Sequence, residues 1–163
     1  MTTTYIALAT TTLSSATSTV TFSSIPATYR DLIIVVGNAQ SASGNPGLVA
    51  RFNGDTNSNY SYVRMTGNGS TTGSASATDT FAVLAAAFGL STSQIATTIT
   101  QIMDYSATDK HKTYLSRSSR ADAGVEAGAG RWANTNAITS VAVFLGGSLN
   151  FAAGTTFSLY GVN

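Results

Sequence analysis

The chain has 163 residues, of which 43% are hydrophobic and only 9% are charged, against about 25% charged residues in ordinary soluble domains. This composition excludes a disordered chain, and a net charge of +1 gives no electrostatic reason to expect nucleic acid or an anionic membrane as a partner. The absence of cysteine excludes disulfides and thiolate metal sites.

Hydroxyl side chains take the place of the missing charges. The sequence contains 26 Thr and 21 Ser, but only one Glu and two Lys. Thr favours strands and Ser favours turns, and strong helix formers are nearly absent, so we predict an all-β fold. A surface so poor in charge has weak colloidal protection, which indicates that much of it is covered in an assembly.

The chain is organised around the run Ile25–Gln40. Pro26 fixes a corner, after which the five apolar residues Leu32–Val36 run without interruption and end at Gly37 and Asn38. Four of these five residues are β-branched. We therefore predict a strand that is buried on both faces or lies at the centre of a sheet.

Short alternating or apolar runs, separated by turn signals, predict the remaining strands. They are Tyr5–Ala9, Thr19–Phe22, Leu48–Phe52, Tyr60–Met65, Ile95–Met103, Thr113–Arg117, Ile138–Leu145 and Thr156–Val162. Ile95–Arg117 is predicted to be a hairpin with Ile95, Ile99 and Met103 on one face. The run Phe81–Phe88 is predicted to be either a strand or a single helical turn.

Gly67–Thr80 is predicted to be a long loop, because it is rich in Gly, Ser and Thr. Residues 1–18 are predicted to form an N-terminal arm and a first edge strand. Residues 19–163 are predicted to form a single β-sandwich, jelly-roll-like, with about eight to ten antiparallel strands.

The sequence shows no pattern of a catalytic site. The only histidine, His111, is close to Ser106 and Asp109, but these residues fall in or beside a predicted turn and the chain has no G-x-S-x-G elbow. We therefore predict that the protein is not an enzyme and uses no cofactor. An extracellular hydrolase is kept only as a third hypothesis.

Asp55, Asn57 and Asn59 repeat the opening of a calcium-binding loop. The closing glutamate is replaced by Thr66, and no helices are predicted on either side. A turn closed by Asx hydrogen bonds is therefore the favoured interpretation, and we predict no metal site.

Five aromatic residues stand beside polar residues: Tyr60, Tyr62, Tyr105, Tyr114 and Trp132. They could stack on sugars, act as anchors of a protein interface, or be half-buried on a pleated face. The sequence alone leaves these three interpretations open.

Several segments resemble a β-sandwich module common among structural proteins of tailed phages. In chain order these are SIPATYRDLIIVV, RFNGDTNSNYSY, ITQIMDYSATDKHKTYLSR, RWANTNAITSV and NFAAGTTFSLYGVN. The resemblance extends from about Val20 to Asn163. It implies a virion component rather than an enzyme.

Only the residues ahead of Val20 precede the module, where a fibre would have a long shaft. We therefore expect a capsid decoration (cement) protein, a homotrimer that binds the major capsid protein and stabilises the assembled head shell. It would be made in the host cytoplasm and lie on the outer surface of the capsid in the virion, with neither nucleic acid nor membrane as a partner. The alternative is a receptor- or carbohydrate-binding tip domain of a tail fibre.

Each hypothesis has its own candidate residues. The candidate assembly contacts of a decoration protein are Tyr5, Ile6, Phe81, Leu84, Phe88, Arg131 and Trp132. The candidate recognition residues of a fibre tip are Asp55, Asn57, Tyr60 and Tyr62.

Overall fold

The computed structural model describes residues 4–163, which form an all-β sandwich of two antiparallel sheets. The predicted fold class is confirmed. The described residues contain no α-helix, only a 3-10 turn at Gly146–Ser148, and hence no helix long and apolar enough to cross a membrane. Residues 1–3 of the predicted arm lie outside the described part of the chain.

The described residues form twelve strands, somewhat more than predicted. They are β1 (Tyr5–Thr12), β2 (Thr19–Phe22), β3 (Asp31–Ala39), β4 (Leu48–Phe52), β5 (Tyr60–Gly67), β6 (Thr72–Asp79), β7 (Ala82–Ala85), β8 (Ala96–Met103), β9 (Lys112–Arg120), β10 (Gly124–Trp132), β11 (Val141–Leu145) and β12 (Thr156–Val162). The larger sheet has the order β1-β12-β3-β8-β9-β10-β5-β6, and the smaller sheet the order β2-β11-β4-β7. The chain crosses repeatedly between the two sheets.

Strand β3 contains the apolar run on which the prediction rested. It lies inside the larger sheet, between β12 and β8. Leu32, Ile34 and Val36 are at most 1% exposed and belong to the core, whereas Ile33 and Val35 on the opposite face are partly exposed. The strand is therefore interior to its sheet, as predicted, but it is fully buried on one face only.

Aromatic rings fill the centre of the sandwich around Phe52. Its ring centroid lies 5.8 Å from that of Tyr60, 6.2 Å from that of Tyr114 and 5.7 Å from that of Trp132. The Tyr114 hydroxyl accepts a hydrogen bond from the Val83 N–H at 3.1 Å. Burial raises the pKa of Tyr60 to about 12 and also raises the pKa of Tyr114.

A fifth aromatic ring, that of Tyr105, secures the corner before β3. The buried hydroxyl of Tyr105 donates a hydrogen bond to the carbonyl of Pro26, and burial raises the pKa of this hydroxyl. The Ile25 N–H donates to the Thr139 carbonyl at 3.0 Å. The predicted Pro26 corner is thus held from the core side and from the chain before β11.

The inner face of β8 carries two hydroxyl side chains, Thr98 and Thr100, between the apolar Ala96 and Ile102. Thr98 Oγ1 lies 2.9 Å from Ser118 Oγ on β9, and Thr100 Oγ1 lies 2.9 Å from Ser116 Oγ. The Ser116 hydroxyl also donates to the Leu84 carbonyl on β7 at 2.6 Å. Because these internal hydrogen bonds satisfy the hydroxyls, threonine can occupy the core side of this strand.

Three segments of small residues contain strands, and only the first of them contradicts a prediction. Most of the predicted loop 67–80 is strand β6, and only 68–71 forms a turn, in which the Asn68 carboxamide oxygen accepts from the backbone N–H of Ser70 and Thr71. The ambiguous Phe81–Phe88 run contains the short strand β7. The Gly- and Ala-rich stretch before Trp132 is strand β10.

Candidate functional site

Five neighbouring strands of the larger sheet, β8, β9, β10, β5 and β6, turn one face away from the smaller sheet. Residues on one face alternate along each strand, and the register of the strands aligns them into rows. We call this surface the outer face. Its residues are Thr97, Ile99, Gln101, Met103, Thr113, Leu115, Arg117, Ser119, Val125, Ala127, Ala129, Arg131, Ser61, Val63, Met65, Gly67, Thr72, Ser74, Ser76 and Thr78.

Large apolar side chains are concentrated on the outer face. Six large hydrophobic side chains are exposed in the described residues, and four of them lie here: Val63 at 58%, Met65 at 68%, Leu115 at 50% and Val125 at 59%. Ile99, in the same rows, is partly exposed. Single exposed apolar residues are common on protein surfaces, but a contiguous group of them indicates a binding surface.

The outer face is recessed along β10. Ala127 lies between Arg117 on β9 and Met65 on β5, and Ala129 likewise has larger residues on both sides. Small side chains in the middle strand leave two adjoining depressions, with volumes of about 570 Å³ and 660 Å³. The surface can therefore receive protruding side chains from a partner.

The outer face carries positive charge only. Among its described residues the charged ones are Arg117 and Arg131, and both are exposed. Asp31 on β3, on the same side of the sheet, already accepts hydrogen bonds from Gln101 Nε2 at 2.8 Å and from the Asp104 N–H at 2.9 Å. The outer face thus has no carboxylate that could pair with its own arginines.

The back of β10 is tied to the chain after β7, which supports the outer face from behind. The buried Glu126 carboxylate accepts from the N–H groups of Ala86 at 3.0 Å and Ala87 at 2.8 Å, and lies 3.7 Å from Arg64 Nη1. Arg120 Nη1 donates to the backbone carbonyl of residue 88 at 2.7 Å. The Glu126 contacts tie β10, and the Arg120 contact ties the end of β9, to the chain after β7, and neither uses an outer-face side chain.

Two of the predicted assembly contacts lie in the core instead of on the surface. Leu84 on β7 is 2% exposed, and Trp132 at the end of β10 is 1% exposed. The indole Nε1 of Trp132 donates to Asp55 Oδ2 at 2.7 Å, so its polar edge is satisfied internally. Neither side chain is available to a partner in this fold.

The other five predicted contacts are on or near the surface but do not form one site. Arg131 belongs to the outer face, whereas Tyr5 (57% exposed) and the less exposed Ile6 lie on β1, at the opposite edge of the larger sheet. The half-buried Phe81 packs edge-on against Phe144 of the smaller sheet, with ring centroids 6.1 Å apart. Phe88 is half-buried, in the chain after β7.

Asp55, proposed for a fibre tip, is occupied by internal hydrogen bonds. Its Oδ1 accepts from the Asn57 N–H at 2.9 Å and from Asn57 Nδ2 at 2.8 Å, and its Oδ2 accepts from Asn59 Nδ2 at 2.8 Å and from the Trp132 indole. Partial burial alone would raise the pKa of Asp55, but these hydrogen bonds outweigh burial and lower the pKa to about 2. The Asx turn favoured by the sequence is confirmed.

The remaining fibre-tip residues do not join Asp55 in a binding site. Tyr60 is fully buried in the core, and the partly exposed Tyr62 lies beside Arg64, whose guanidinium carbon is 5.9 Å from the ring centroid. Asn57 is exposed in the loop. Within residues 4–163 no three His, Asp or Glu residues are grouped so that they could hold a metal ion.

The outer-face residues were missed at the sequence level, apart from Arg131. Alternation in Tyr60–Met65 and Thr113–Arg117 was visible, and it correctly predicted two strands. Alternation does not reveal which of the two faces is buried when the other phase consists of Tyr, Ser and Lys. No local signal in the sequence assigns Val63, Met65 and Leu115 to the exposed side.

Comparisons with known proteins leave the family open. No protein-family model matches the chain, and no curated protein matches it. Among solved structures, a protein of unknown function from Shewanella oneidensis MR-1 is similar at 12% sequence identity and a TM-score of 0.27, over 97% of this chain and 75% of that chain. A likeness of this size carries no argument.

Proposed function

We propose that this chain is a virion structural protein that decorates an assembled capsid shell, and that it docks through the outer face. The single observation that supports docking is the contiguous apolar surface around Val63, Met65, Leu115 and Val125, recessed along β10 and bordered by hydroxyls. The virion part of the proposal is supported by the resemblance of the five segments to the phage module.

The composition of the outer face is that of a protein-binding surface. Protein interfaces are enriched in Met and Arg and depleted of Lys, Glu and Asp at their centre, with a polar rim. Here Met65 and Arg117 lie in one row across the sheet, and Thr and Ser residues of β6 form one border. Burial of the exposed apolar side chains would supply the main favourable free energy, at roughly 25 cal/mol per Å².

The charges favour a partner other than a second copy at this surface. Two outer faces packed together would bring guanidinium groups of Arg117 and Arg131 into one interface with no carboxylate to neutralise them. A shell protein that presents carboxylates around an apolar ridge would satisfy both features. We propose the major capsid protein, on the outer surface of the capsid, as this partner.

Such a protein acts by differential binding. A ligand that binds only the assembled lattice stabilises it by mass action, and many copies act together. The homotrimeric state predicted from the resemblance is part of the same proposal. The alternative of a fibre tip gains no supporting observation, because Tyr60 is buried and the Asp55 carboxylate is already occupied.

The proposal is tested by the location and the binding of the protein. Gold-labelled antibody against the chain should mark the heads of the phage particles that contain it, and label confined to the fibres would refute decoration. Purified chain should also bind isolated head shells in a co-sedimentation assay.

Two outer-face variants locate the docking surface. Arg117→Glu and Met65→Asp should each weaken shell binding at least tenfold. Arg117→Glu reverses the charge that attracts an acidic partner, and Met65→Asp buries a carboxylate in the interface without a partner for it. Arg30→Glu is the matched control, since the Arg30 side chain is 76% exposed and lies outside the outer face. Shell binding unchanged in both outer-face variants would contradict docking through this surface.

A further inference from the structure

Strand β6 leaves one edge of the larger sheet open. It pairs with β5 from Thr72 to Asp79 without a bulge, and no described strand pairs with it on the other side. The backbone N–H and C=O groups of every second residue of β6 are therefore directed away from the sheet. Such an edge is a template for another strand unless it is protected.

β6 has none of the usual protection against edge pairing. Its sequence, TGSASATD, has no proline and no basic residue, and its only charge is Asp79 at the very end. By contrast, the other edge strand of this sheet, β1, is interrupted by a bulge between Ala7 and Ala9. The edge strands of the smaller sheet, β2 and β7, are four residues long. Among the described strands, β6 is thus the long and regular edge, with a single charge at its end.

We propose that β6 pairs antiparallel with β6 of a second copy of this chain, around a two-fold axis at Ala75. The residues of β6 alternate between hydroxyls on the outer face and Gly or Ala on the inner face, up to Asp79. With Ala75 on the axis, Ser74 lies opposite Ser76 of the second copy, and Thr72 lies opposite Thr78. Each outer-face position of β6 then meets a hydroxyl.

The chain already uses this pairing between its own strands. Hydroxyl oxygens of opposite residues are 2.9 Å apart in Thr98–Ser118 and in Thr100–Ser116. The same contact joins β1 to β12, where the hydroxyl oxygens of Thr12 and Thr156 are 2.9 Å apart. Cross-strand hydroxyl pairs of this kind stabilise sheets. β6 carries the same kind of hydroxyl side chains, but on its open edge no strand of the described chain supplies hydroxyls to pair with them.

Charge also favours a second copy as the occupant. In the proposed register the two Asp79 carboxylates lie at opposite ends of the paired segment, and each faces the uncharged residue at position 71. No like charges oppose each other. An isologous interface requires this kind of self-complementarity.

The dimer should be weak and concentration-dependent. Stable complexes typically bury about 800 Å² of accessible surface on each partner. A single pair of strands with small side chains buries less than this area. The pairing leaves Val63 and Met65 uncovered, since they belong to β5, so both outer faces of the dimer stay free on the same side of one continuous sheet. The inference goes beyond the proposed function and does not depend on it.

Two measurements on the purified chain test the pairing. The chain has no cysteine, so Ala75→Cys introduces a single thiol on the proposed axis, where opposite Cα atoms would lie about 4.5–5.5 Å apart, within disulfide range. Mild oxidation should cross-link Ala75→Cys into a dimer at least tenfold faster than the control Thr108→Cys, which places a thiol on the exposed turn after β8. Equal rates would overturn the proposal.

Sedimentation of paired charge variants tests the register. Ser74→Lys with Ser76→Lys places like charges opposite each other and should weaken self-association at least tenfold. Ser74→Glu with Ser76→Lys places opposite charges together and should restore it to within threefold of wild type. These side chains are exposed, and circular dichroism should show that both variants fold. A wild-type chain whose sedimentation coefficient does not rise with concentration up to about 1 mM, or a doubly lysine-substituted variant that associates as wild type does, would overturn the inference.

Discussion

Replacement of Asp55 by Asn should remove a pH-dependent part of the stability of this fold. The pKa of Asp55 is lowered from 3.8 to about 2 in the folded chain. A lowered pKa contributes stability that is present above the unfolded-state value, near 3.8, and is lost as the pH falls through 2. At 1.36 kcal/mol for each pKa unit, the contribution is about 2 kcal/mol at most, since part of the carboxylate remains in contact with water.

The variant should also lose stability at neutral pH. The carboxylate accepts four hydrogen bonds, from two groups of Asn57, from Asn59 and from Trp132. An Asn side chain has one acceptor oxygen, so it leaves part of this set unsatisfied, including a donor from the buried Trp132. The free energy of unfolding at pH 7 should fall by about 2–3 kcal/mol.

The single tryptophan, Trp132, makes the measurement direct, because its fluorescence reports unfolding beside the substituted residue. Urea unfolding would be followed by fluorescence and circular dichroism at pH 7, 4 and 2. Wild type should lose about 1.5 kcal/mol more than the variant as the pH falls from 4 to 2. Asp109→Asn, at an exposed position, is the control. If the variant and wild type kept the same pH dependence within 0.5 kcal/mol, roughly the error of such measurements, the account of Asp55 would be wrong.

Two further predictions concern β10. A methyl group at Gly130 would overlap the Tyr114 ring, whereas at Gly128 it would make ordinary contacts, 3.4 Å from the nearest atom. Gly130→Ala should therefore lower the free energy of unfolding by about 3 kcal/mol, and Gly128→Ala should change it by less than about 1 kcal/mol; equal costs in urea unfolding would contradict the packing argument. Glu126→Gln should cost about 2 kcal/mol, because it weakens two backbone hydrogen bonds, and it should speed hydrogen exchange at the amides that the carboxylate binds. Unchanged exchange there would show that Glu126 does not hold this segment.

The strands with large apolar or β-branched residues could be predicted from the sequence. Leu32–Val36 and Thr156–Val162 were placed correctly because their composition alone favours a buried strand. The hairpin around residues 106–110 was also placed correctly, because a polar turn separates two alternating runs. In these segments local preference and tertiary environment agree.

The strands of small residues could not be predicted. β6 and β10 consist largely of Gly, Ala and Ser, which by composition indicate loops. At Gly130 the absence of a side chain makes room for the Tyr114 ring, a contact with a residue on the neighbouring strand. Because this requirement for a glycine is set by a residue on another strand, the residues next to Gly130 in the sequence do not indicate it.

The candidate site was hidden for a related reason. On β8 the sequence pattern places Ile99 and Met103 together on one face without showing whether that face is buried, and the structure buries the other one, with Ala96, Thr98, Thr100 and Ile102. Threonines are buried there because Ser116 and Ser118 on β9 satisfy them. The hydrogen-bonding partners decide which phase is buried, and they become known only with the strand register.

This fold relies on hydrogen bonds between neutral hydroxyl pairs, whereas its proposed docking surface carries arginines. The stability of the fold and the affinity of the docking surface should therefore depend differently on salt. At 0.1 M ionic strength dissolved ions screen the interaction between exposed charges over a Debye length of about 10 Å. They have little effect on hydrogen bonds between uncharged groups. The ion pairs of Asp104 with Arg30 and Lys110 are exposed and contribute little to stability, and the less exposed pairs Arg64–Glu126 and Arg120–Asp122 are screened less by salt. Folding should therefore be nearly indifferent to ionic strength, whereas attraction between Arg117 and an acidic partner weakens as salt rises. A high salt concentration would then release the protein from such a partner while leaving it folded.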